Sequence, residues 1–300
     1  MTAAALILAG GDGTRLRALT RRLAGDDRPK QFCALLGEQT LLEQTRRRAA
    51  RLIAPARTLF VVTRVHEPYY GPALADASPD TVVVQPSNRG IAPAVLYALL
   101  RLRAGAPADA VVLLPSDHYV SDDDALMARV EGALDTVRAR PESVVLLGIE
   151  PDRPETEYGW IEPAEVILGR WTWPVYRVRR FWEKPPVEDA RRLMRRGSLW
   201  NSFVIVANPV TLETLIRGAL PALATAFAPL AARIGTAWEA DAASGVYPRL
   251  AAADLSREVL QRHPEHLAVL PVSGLGWNDL GDPARVLVTQ ERLAPALAPA

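Results

Sequence analysis

Three glycines within four positions, Gly10, Gly11 and Gly13, close an apolar run from Ala3 to Ala9 and lead into Thr14 and Arg15. Glycine admits positive φ and lets a ligand approach the backbone closely. A turn of free N–H groups makes an anion nest, and the guanidinium of Arg15 offers a planar fork suited to phosphate oxygens. The chemistry on offer is phosphate binding, although a bare Gly-x-Gly also serves as an ordinary strand-to-helix turn. Two familiar cradles are excluded. The P-loop requires Lys-Ser or Lys-Thr, a pair absent from the chain. The dinucleotide fingerprint requires a third glycine where Leu16 stands.

Two carboxylates come next. Asp117 follows the apolar stretch Ala110 to Leu114 in Pro115-Ser116-Asp117-His118. Asp279 follows Leu267 to Val272 in Gly276-Trp277-Asn278-Asp279-Leu280-Gly281. Magnesium takes hard oxygen ligands, typically one or two carboxylates plus substrate phosphates and water. An aspartate at a strand end can equally cap a helix. No His/Cys cluster suggests zinc, and His118 reads as structural. Lys and Arg total 35, yet lysine occurs only at Lys30 and Lys184. In a chain so dominated by arginine, a remaining lysine is a candidate for a place that needs a compact ammonium.

These residues need a scaffold. The run Ala3–Ala9 fits a strand buried on both faces. Thr40-Leu41-Leu42-Glu43 has the spacing of a capping box and opens a helix to about Ile53. Strands are expected at 58–63, 81–85, 110–114 and 143–148, and helices at 69–76, 91–102 and 123–138. That alternation predicts a doubly wound, mostly parallel α/β sheet. In such sheets ligands sit beyond the carboxyl ends of the strands, so the glycine loop, Gln85 and Asp117 can share one crevice. From Pro151 the chain turns aromatic and turn-rich. It reads as an α+β portion with strands at 176–181, 204–207 and 267–272, helices at 187–196 and 283–293, and a helical, Ala-rich stretch 210–260. Thr20 to Asp27 reads as a long loop and the Ala/Pro tail as frayed. The expected organisation is one unit over 1–300: a nucleotide-binding half (1–150), a second half (151–282), and a terminal helix and tail (283–300).

Two spaced motifs, Gly-Gly-x-Gly-Thr-Arg-Leu and Pro29-Lys30-Gln31-Phe32, together resemble the sugar-1-phosphate nucleotidylyltransferases, and Lys-Gln-Phe resembles their mannose-1-phosphate guanylyltransferase branch. The resemblance runs from Leu6 to about Gly281. It implies a Rossmann-like nucleotidyltransferase fold, GTP and mannose 1-phosphate as substrates, and Mg2+ as cofactor. By the same resemblance Arg15 holds the triphosphate, Lys30 holds the reacting phosphates, and Asp117 and Asp279 hold the metal. Leu8, Ala9, Gly10, Gly11, Gly13, Thr14, Gln85, Asn88 and Gly90 line the nucleotide side. Gly159, Glu183, Lys184 and Asn201 take the sugar phosphate. The chain departs from the pattern at Ala18 (proline expected), Ile91 (threonine), Glu157 (glycine) and Phe203 (glycine or alanine). An ADP-, dTDP- or UDP-glucose type of transferase, and a non-catalytic nucleotide-sugar-binding subunit, are the alternatives.

The bulk numbers are compatible with this. Hydrophobic content of 49% supports a large core, and a net charge of +1 gives no general drive toward nucleic acid or an anionic membrane. No apolar stretch reaches the ~20 residues that span a bilayer, and the N-terminus lacks the charged region of a signal peptide. One cysteine, Cys33, allows no internal disulfide. A cytoplasmic protein is expected, with no nucleic-acid or membrane partner and with room for a homodimer.

Overall fold

The computed structural model describes residues 2–168 and 173–297. Residues 298–300, the end of the tail expected to fray, lie outside the described residues. Nine strands form one sheet in the order β3-β2-β1-β4-β8-β5-β9-β7-β6. The strands are β1 (Ala3–Leu8), β2 (Thr58–Thr63), β3 (Val82–Gln85), β4 (Ala110–Pro115), β5 (Val144–Ile149), β6 (Gly159–Leu168), β7 (Val175–Glu183), β8 (Leu199–Ala207) and β9 (Leu267–Val272).

The sheet is mixed, which corrects the expectation of a mostly parallel one. The pairings β1–β2, β1–β4, β2–β3 and β5–β9 are parallel, whereas the five made by β8, β7 and β6 are antiparallel. The cause is β8, which enters antiparallel between β4 and β5 and so splits the parallel set. The central strands β1, β4 and β5 are apolar throughout because both their faces are covered, while β8 carries Asn201 and Ser202 in its first half. Ala4 and Leu6 of β1 face one core, with the helix Ile91–Gly105 and the helix Pro209–Ala219. Ala5 and Ile7 face the other, with the helices Leu41–Ala50, Asp123–Ala139 and Val187–Arg195.

Local signals hold where they are short-range. The capping box forms: Thr40 Oγ1 accepts from Glu43 N, and Glu43 Oε2 accepts from Thr40 N at 2.7 Å. Two expectations change. Residues Arg17–Ala24 form a helix ended by Gly25 in the left-handed region (φ 81), so most of the supposed loop is helical. The turn-rich stretch after Pro151 includes the ten-residue strand β6. Its zigzag is masked because β6 breaks register three times against β7.

A third, small core matters most for the site. Leu16, Leu19, Cys33, Leu35, Leu41, Leu280 and Val286 pack together. This cluster ties the glycine-loop segment, the Lys30 segment and the Asp279 segment to one another across more than 240 positions of sequence. Cys33 is buried there as an apolar filler, and burial pushes its thiol up.

Candidate active site

The carboxyl ends of β1, β3, β4 and β9 each run into a segment that carries candidate residues. The first is the glycine loop. Gln31 Nε2 donates to Ala9 O at 3.1 Å and Gly11 O at 2.7 Å, and Thr63 Oγ1 donates to Gly10 O at 2.9 Å. With its carbonyls pinned inward, the loop can turn its N–H groups outward. Among the described residues, those of Gly11, Asp12 and Gly13 donate to no protein acceptor. Two of the glycines are required by space. A Cβ on Gly10 would lie 2.8 Å from Gln85 Nε2 and 2.9 Å from Thr63 Oγ1. Gly13 has φ 59, and its Cβ would lie 3.0 Å from Pro29 Cα.

Leu8, Gly10, Gly11, Gln85, Asn88, Gly90, Ile91, Pro115, Asp117 and His118 share a cavity of about 290 Å³. Ala9 does not reach it: its side chain is buried, its N–H donates to Val61 O and its carbonyl accepts from Gln31. Asn88 Nδ2 donates to Asp12 Oδ2 at 2.9 Å, and His66 Nε2 stands 3.5 Å from Asp12 Oδ1. The stretch read as Ala-rich scaffold braces two of these segments from behind. The Tyr247 hydroxyl donates to Gln85 Oε1 at 3.3 Å, Arg89 Nε donates to Tyr247 O, and Ala253 N donates to Arg89 O. Gly90 (φ 85) sits so close to Ala253 that a Cβ would come within 2.4 Å of its carbonyl oxygen.

A second cavity, of about 210 Å³, is lined by Gly13, Thr14, Arg15, Lys30, Asp117 and Gly281. Lys30 is its centre. The Lys30 segment has extended backbone at Pro29 and one 3-10 turn, which buries the lysine stem while Nζ reaches forward. Nζ donates to the Asp279 and Leu280 carbonyls and lies 3.3 Å from Asp117 Oδ2. Arg15 lies at the rim, largely exposed, with Nη1 3.6 Å from Glu157 Oε2.

Asp279 is the most tightly held carboxylate. Oδ1 accepts from the Tyr158 hydroxyl at 2.8 Å, from Gly281 N at 2.9 Å and from Arg285 Nη1 at 2.9 Å, and Oδ2 accepts from Nη1 at 3.2 Å. Arg285 also donates to Glu155 Oε2 at 2.7 Å, pairs with Asp282 and lies over the Tyr158 ring. Burial by itself would raise Asp279, but its cationic neighbours and the Tyr158 hydroxyl outweigh burial and hold it below the usual carboxylate range. His118, edge-on to Trp277, is pushed down by its own burial. The lasting positive charges near Asp279 are therefore Arg285 and Lys30.

The remaining candidates gather where β6, β7 and β8 meet. Trp200 pairs with Trp160 on β6 and with Ile149 on β5. A Cβ on Gly159 would lie 3.1 Å from Glu183 Oε2 and 3.3 Å from Asn201 Cβ, so the three candidate positions adjoin. Burial raises the Glu183 carboxyl. Asn201 is buried, and its Oδ1 accepts from Phe203 N at 3.1 Å, which leaves the amide NH₂ as the group to present. Lys184 is exposed beside them at φ 49. Sequence reasoning missed Gln31's pinning role, Thr63, Tyr158, Tyr247 and Arg285. Gln31 lies within a quoted motif. Tyr158 stands next to the candidate Gly159 and Thr63 ends the expected strand 58–63, whereas Tyr247 and Arg285 are single residues far along the chain with no spacing to mark them.

A glycine-rich loop with free N–H groups, a buried lysine held by Asp117 and two backbone carbonyls, and an adjoining polar strand junction suit a protein that handles phosphates. The chain matches the Nucleotidyl transferase family over residues 4–294 and belongs to it. Among curated relatives, the xanthan biosynthesis protein XanB of Xanthomonas campestris pv. campestris is 30% identical over 297 residues, covering 96% of this chain and 59% of XanB. The mannose-1-phosphate guanylyltransferase of Escherichia coli K12 is 33% identical over 204 residues, covering 66% of this chain and 41% of that protein. The chain thus spans well under two thirds of these relatives. A crystal structure described as mannose-1-phosphate geranyltransferase from Thermus thermophilus matches with a TM-score of 0.78 and 34% identity, covering 94% of this chain and 77% of that one. No helix among the described residues is long and apolar enough to cross a membrane.

Proposed function

We propose that this chain transfers a guanylyl group from GTP to mannose 1-phosphate, giving GDP-mannose and pyrophosphate. The observation that carries the reading is the place of Lys30. Its ammonium stands beside Asp117, which lines both the glycine-loop cavity and the Arg15 cavity, so the lysine sits where it can neutralise a triphosphate laid across the two while a second phosphate approaches. The names of relatives in two comparisons support the choice of substrates.

A phosphate oxygen of mannose 1-phosphate attacks the α-phosphorus of GTP, the bond to the β-phosphate oxygen breaks, and pyrophosphate leaves. No protein nucleophile is needed. The work is positioning and charge neutralisation. The glycine loop offers N–H groups to the triphosphate, Arg15 closes over it from the rim, and Lys30 draws the reacting phosphates together. Glu183, Asn201 and the Gly159 backbone take sugar hydroxyls, and Lys184 takes the sugar phosphate.

Magnesium fits the donor set. Among the described residues no group of three or more His, Cys, Asp or Glu side chains could cage a metal, and magnesium prefers one or two carboxylates plus phosphates and water. Asp117 has a third of its side chain exposed between the two cavities. Asp279 has its Oδ1 fully committed, so Oδ2, which meets only Arg285, is the atom with capacity. Asp117 and Asp279 would hold the ion, which supplies positive charge against the phosphate oxygens.

The test is pyrophosphate release with GTP, ATP, UTP and dTTP, each with mannose 1-phosphate and glucose 1-phosphate, with magnesium and with chelator. GTP with mannose 1-phosphate should have the highest kcat/KM, and chelation should abolish release. A higher kcat/KM with UTP or dTTP and glucose 1-phosphate would overturn the substrates and keep the reaction. No release from any pair would favour a binding subunit.

A further inference from the structure

In the segment Trp277-Asn278-Asp279-Leu280-Gly281, each polar atom of Asn278 has a partner within the protein. Its backbone forms an isolated bridge with Tyr119, two residues beyond Asp117: Asn278 N donates to Tyr119 O at 3.0 Å, and Tyr119 N donates to Asn278 O at 2.8 Å. Its Nδ2 donates to Thr289 Oγ1 at 3.1 Å, on the helix Pro283–Leu297. Its Oδ1 accepts from Leu280 N at 2.8 Å.

That last bond sets a peptide plane. The N–H of Leu280 and the carbonyl of Asp279 belong to one rigid trans unit and point in opposite directions. Holding the N–H on Asn278 aims the carbonyl the other way, and there it accepts from Lys30 Nζ. The next plane repeats the arrangement. Gly281 N donates to Asp279 Oδ1 at 2.9 Å, and the Leu280 carbonyl at the far end of that plane accepts from Lys30 Nζ at 3.1 Å. Two successive carbonyls thus converge on one ammonium. In extended backbone they would point to opposite sides. They converge because Leu280 stands at φ 49, one of three non-glycine residues at positive φ among the described residues. Leucine disfavours this region, and such strain persists only where the surroundings over-determine it. The small third core fixes the wholly buried Leu280 side chain. The planes on either side of it are fixed by Asn278 and Asp279. An ammonium has three donors. Two go to these carbonyls, which leaves the third for Asp117 Oδ2, 3.3 Å away.

We propose that Asn278 is a positioning residue for Lys30. It acts through the Asp279–Leu280 peptide plane and sets where the lysine's charge stands against the reacting phosphates. The task of Lys30 rests on the proposed function, whereas the clamp rests on the hydrogen bonds alone.

The chain has only two lysines, so Lys30 can be observed directly. Protein labelled with 15N at lysine Nζ gives two ammonium signals, and Lys184→Arg identifies the one from Lys30. In Asn278→Ala that signal should shift and its hydrogens should exchange several-fold faster. In the same variant kcat for pyrophosphate release should fall by roughly 10-fold or more, since ~1 Å of misplacement can cost about 100-fold, with both KM values little changed. Thr289→Val removes the other partner of the Asn278 amide. It should lower the melting temperature, as Asn278→Ala does, yet leave the Lys30 signal and kcat in place. Asn278→Ser keeps a weaker acceptor for the N–H two residues on, so its signal and kcat should fall between those of Asn278→Ala and the unsubstituted protein. An unmoved Lys30 signal in folded Asn278→Ala, an equal shift in Thr289→Val, or a moved signal with unchanged kcat would overturn the positioning role. Should Asn278→Ala fail to fold, Asn278→Ser reads the same displacement on a smaller scale, and an unmoved signal there would overturn it. A moved signal in a chain whose unsubstituted form releases no pyrophosphate from any pair would keep the clamp and sink the proposed reaction.

Discussion

The glycine loop and the Asp279 corner lie on either side of Lys30 and are held by different physics. The loop is pinned by neutral donors: two bonds from the Gln31 amide, one from the Thr63 hydroxyl, and the Tyr247 hydroxyl on Gln85. The corner is an ionic knot in which Arg285 joins Asp279, Glu155 and Asp282 under the Tyr158 hydroxyl. Neutral hydrogen bonds contribute about 1 kcal/mol net apiece. A buried ion pair contributes little net, yet breaking it strands a desolvated charge. The loop should therefore tolerate the loss of one partner, and the corner should not.

Removing the guanidinium is the strongest way to break that contrast. Arg285 is only 11% exposed in its side chain, Glu155 12% and Asp279 16%. Arg285→Ala should destabilise the fold by about 3–5 kcal/mol, because it leaves buried carboxylates uncompensated. Thr63→Val, which removes one neutral donor from the loop, should cost about 1 kcal/mol. Denaturant unfolding of both variants reads the difference, and equal losses would end the distinction.

Lys30 spans the two regions, so it sharpens the comparison in turnover more than in stability. Its ammonium fits between two carbonyl oxygens and Asp117. A guanidinium there is wider and planar. Misplacing reacting groups by ~1 Å can cost about 100-fold. Lys30→Arg should lower kcat by about that much with the melting temperature nearly unchanged. Lys184→Arg, at an exposed position, should act mainly on the KM for the sugar phosphate. Full activity in Lys30→Arg would make the scarce lysines an accident of composition.

The same contrast explains what could be read from the sequence. The loop was legible because its chemistry is contiguous: three glycines, Arg15, and Lys30 a short span later. The strands β1, β2, β4 and β5 were legible because burial on both faces makes each a largely apolar run, and the edge strand β3 because of its three successive valines. Strand direction was not, since β8 carries the same apolar run whichever way it pairs. Asp279 was visible as an aspartate after a strand. Arg285 was one of many arginines, and nothing local distinguishes the one that turns toward Glu155, 130 positions away. Tyr247 was hidden for a similar reason: it lies among small apolar residues, and its partner Gln85 is 162 positions distant. The Arg17–Ala24 helix was obscured by Arg and Asp residues that pair locally, Arg21 with Asp27 and Arg28 with Asp26.

The smallest effect tests a third electrostatic setting, a carboxylate with burial but no strong partner. Asp279 is held low by its cationic neighbours, while Glu183, beside Gly159 and Asn201, is held high because burial outweighs Lys184 and Arg257. Its folded-state value is therefore raised, and the sign of the linkage follows. The contribution of Glu183 to stability is fully present below the ordinary glutamate value and is lost as pH rises through the raised folded value. At pH 7 the ionised side chain is a cost, which the proposed acceptance of sugar hydroxyls would offset on binding. Glu183→Gln should therefore raise the melting temperature at pH 7, with the gain shrinking as the pH falls toward 4. In the unsubstituted protein the KM for the sugar phosphate should rise as pH falls through the raised value, at a higher pH than an ordinary carboxylate would give. In Glu183→Gln that KM should be roughly tenfold higher at pH 7, the loss of about one charged hydrogen bond, and flat with pH. A pH-independent KM in the unsubstituted protein, or a variant less stable at pH 7, would show that Glu183 is satisfied within the fold and takes no part in holding the sugar.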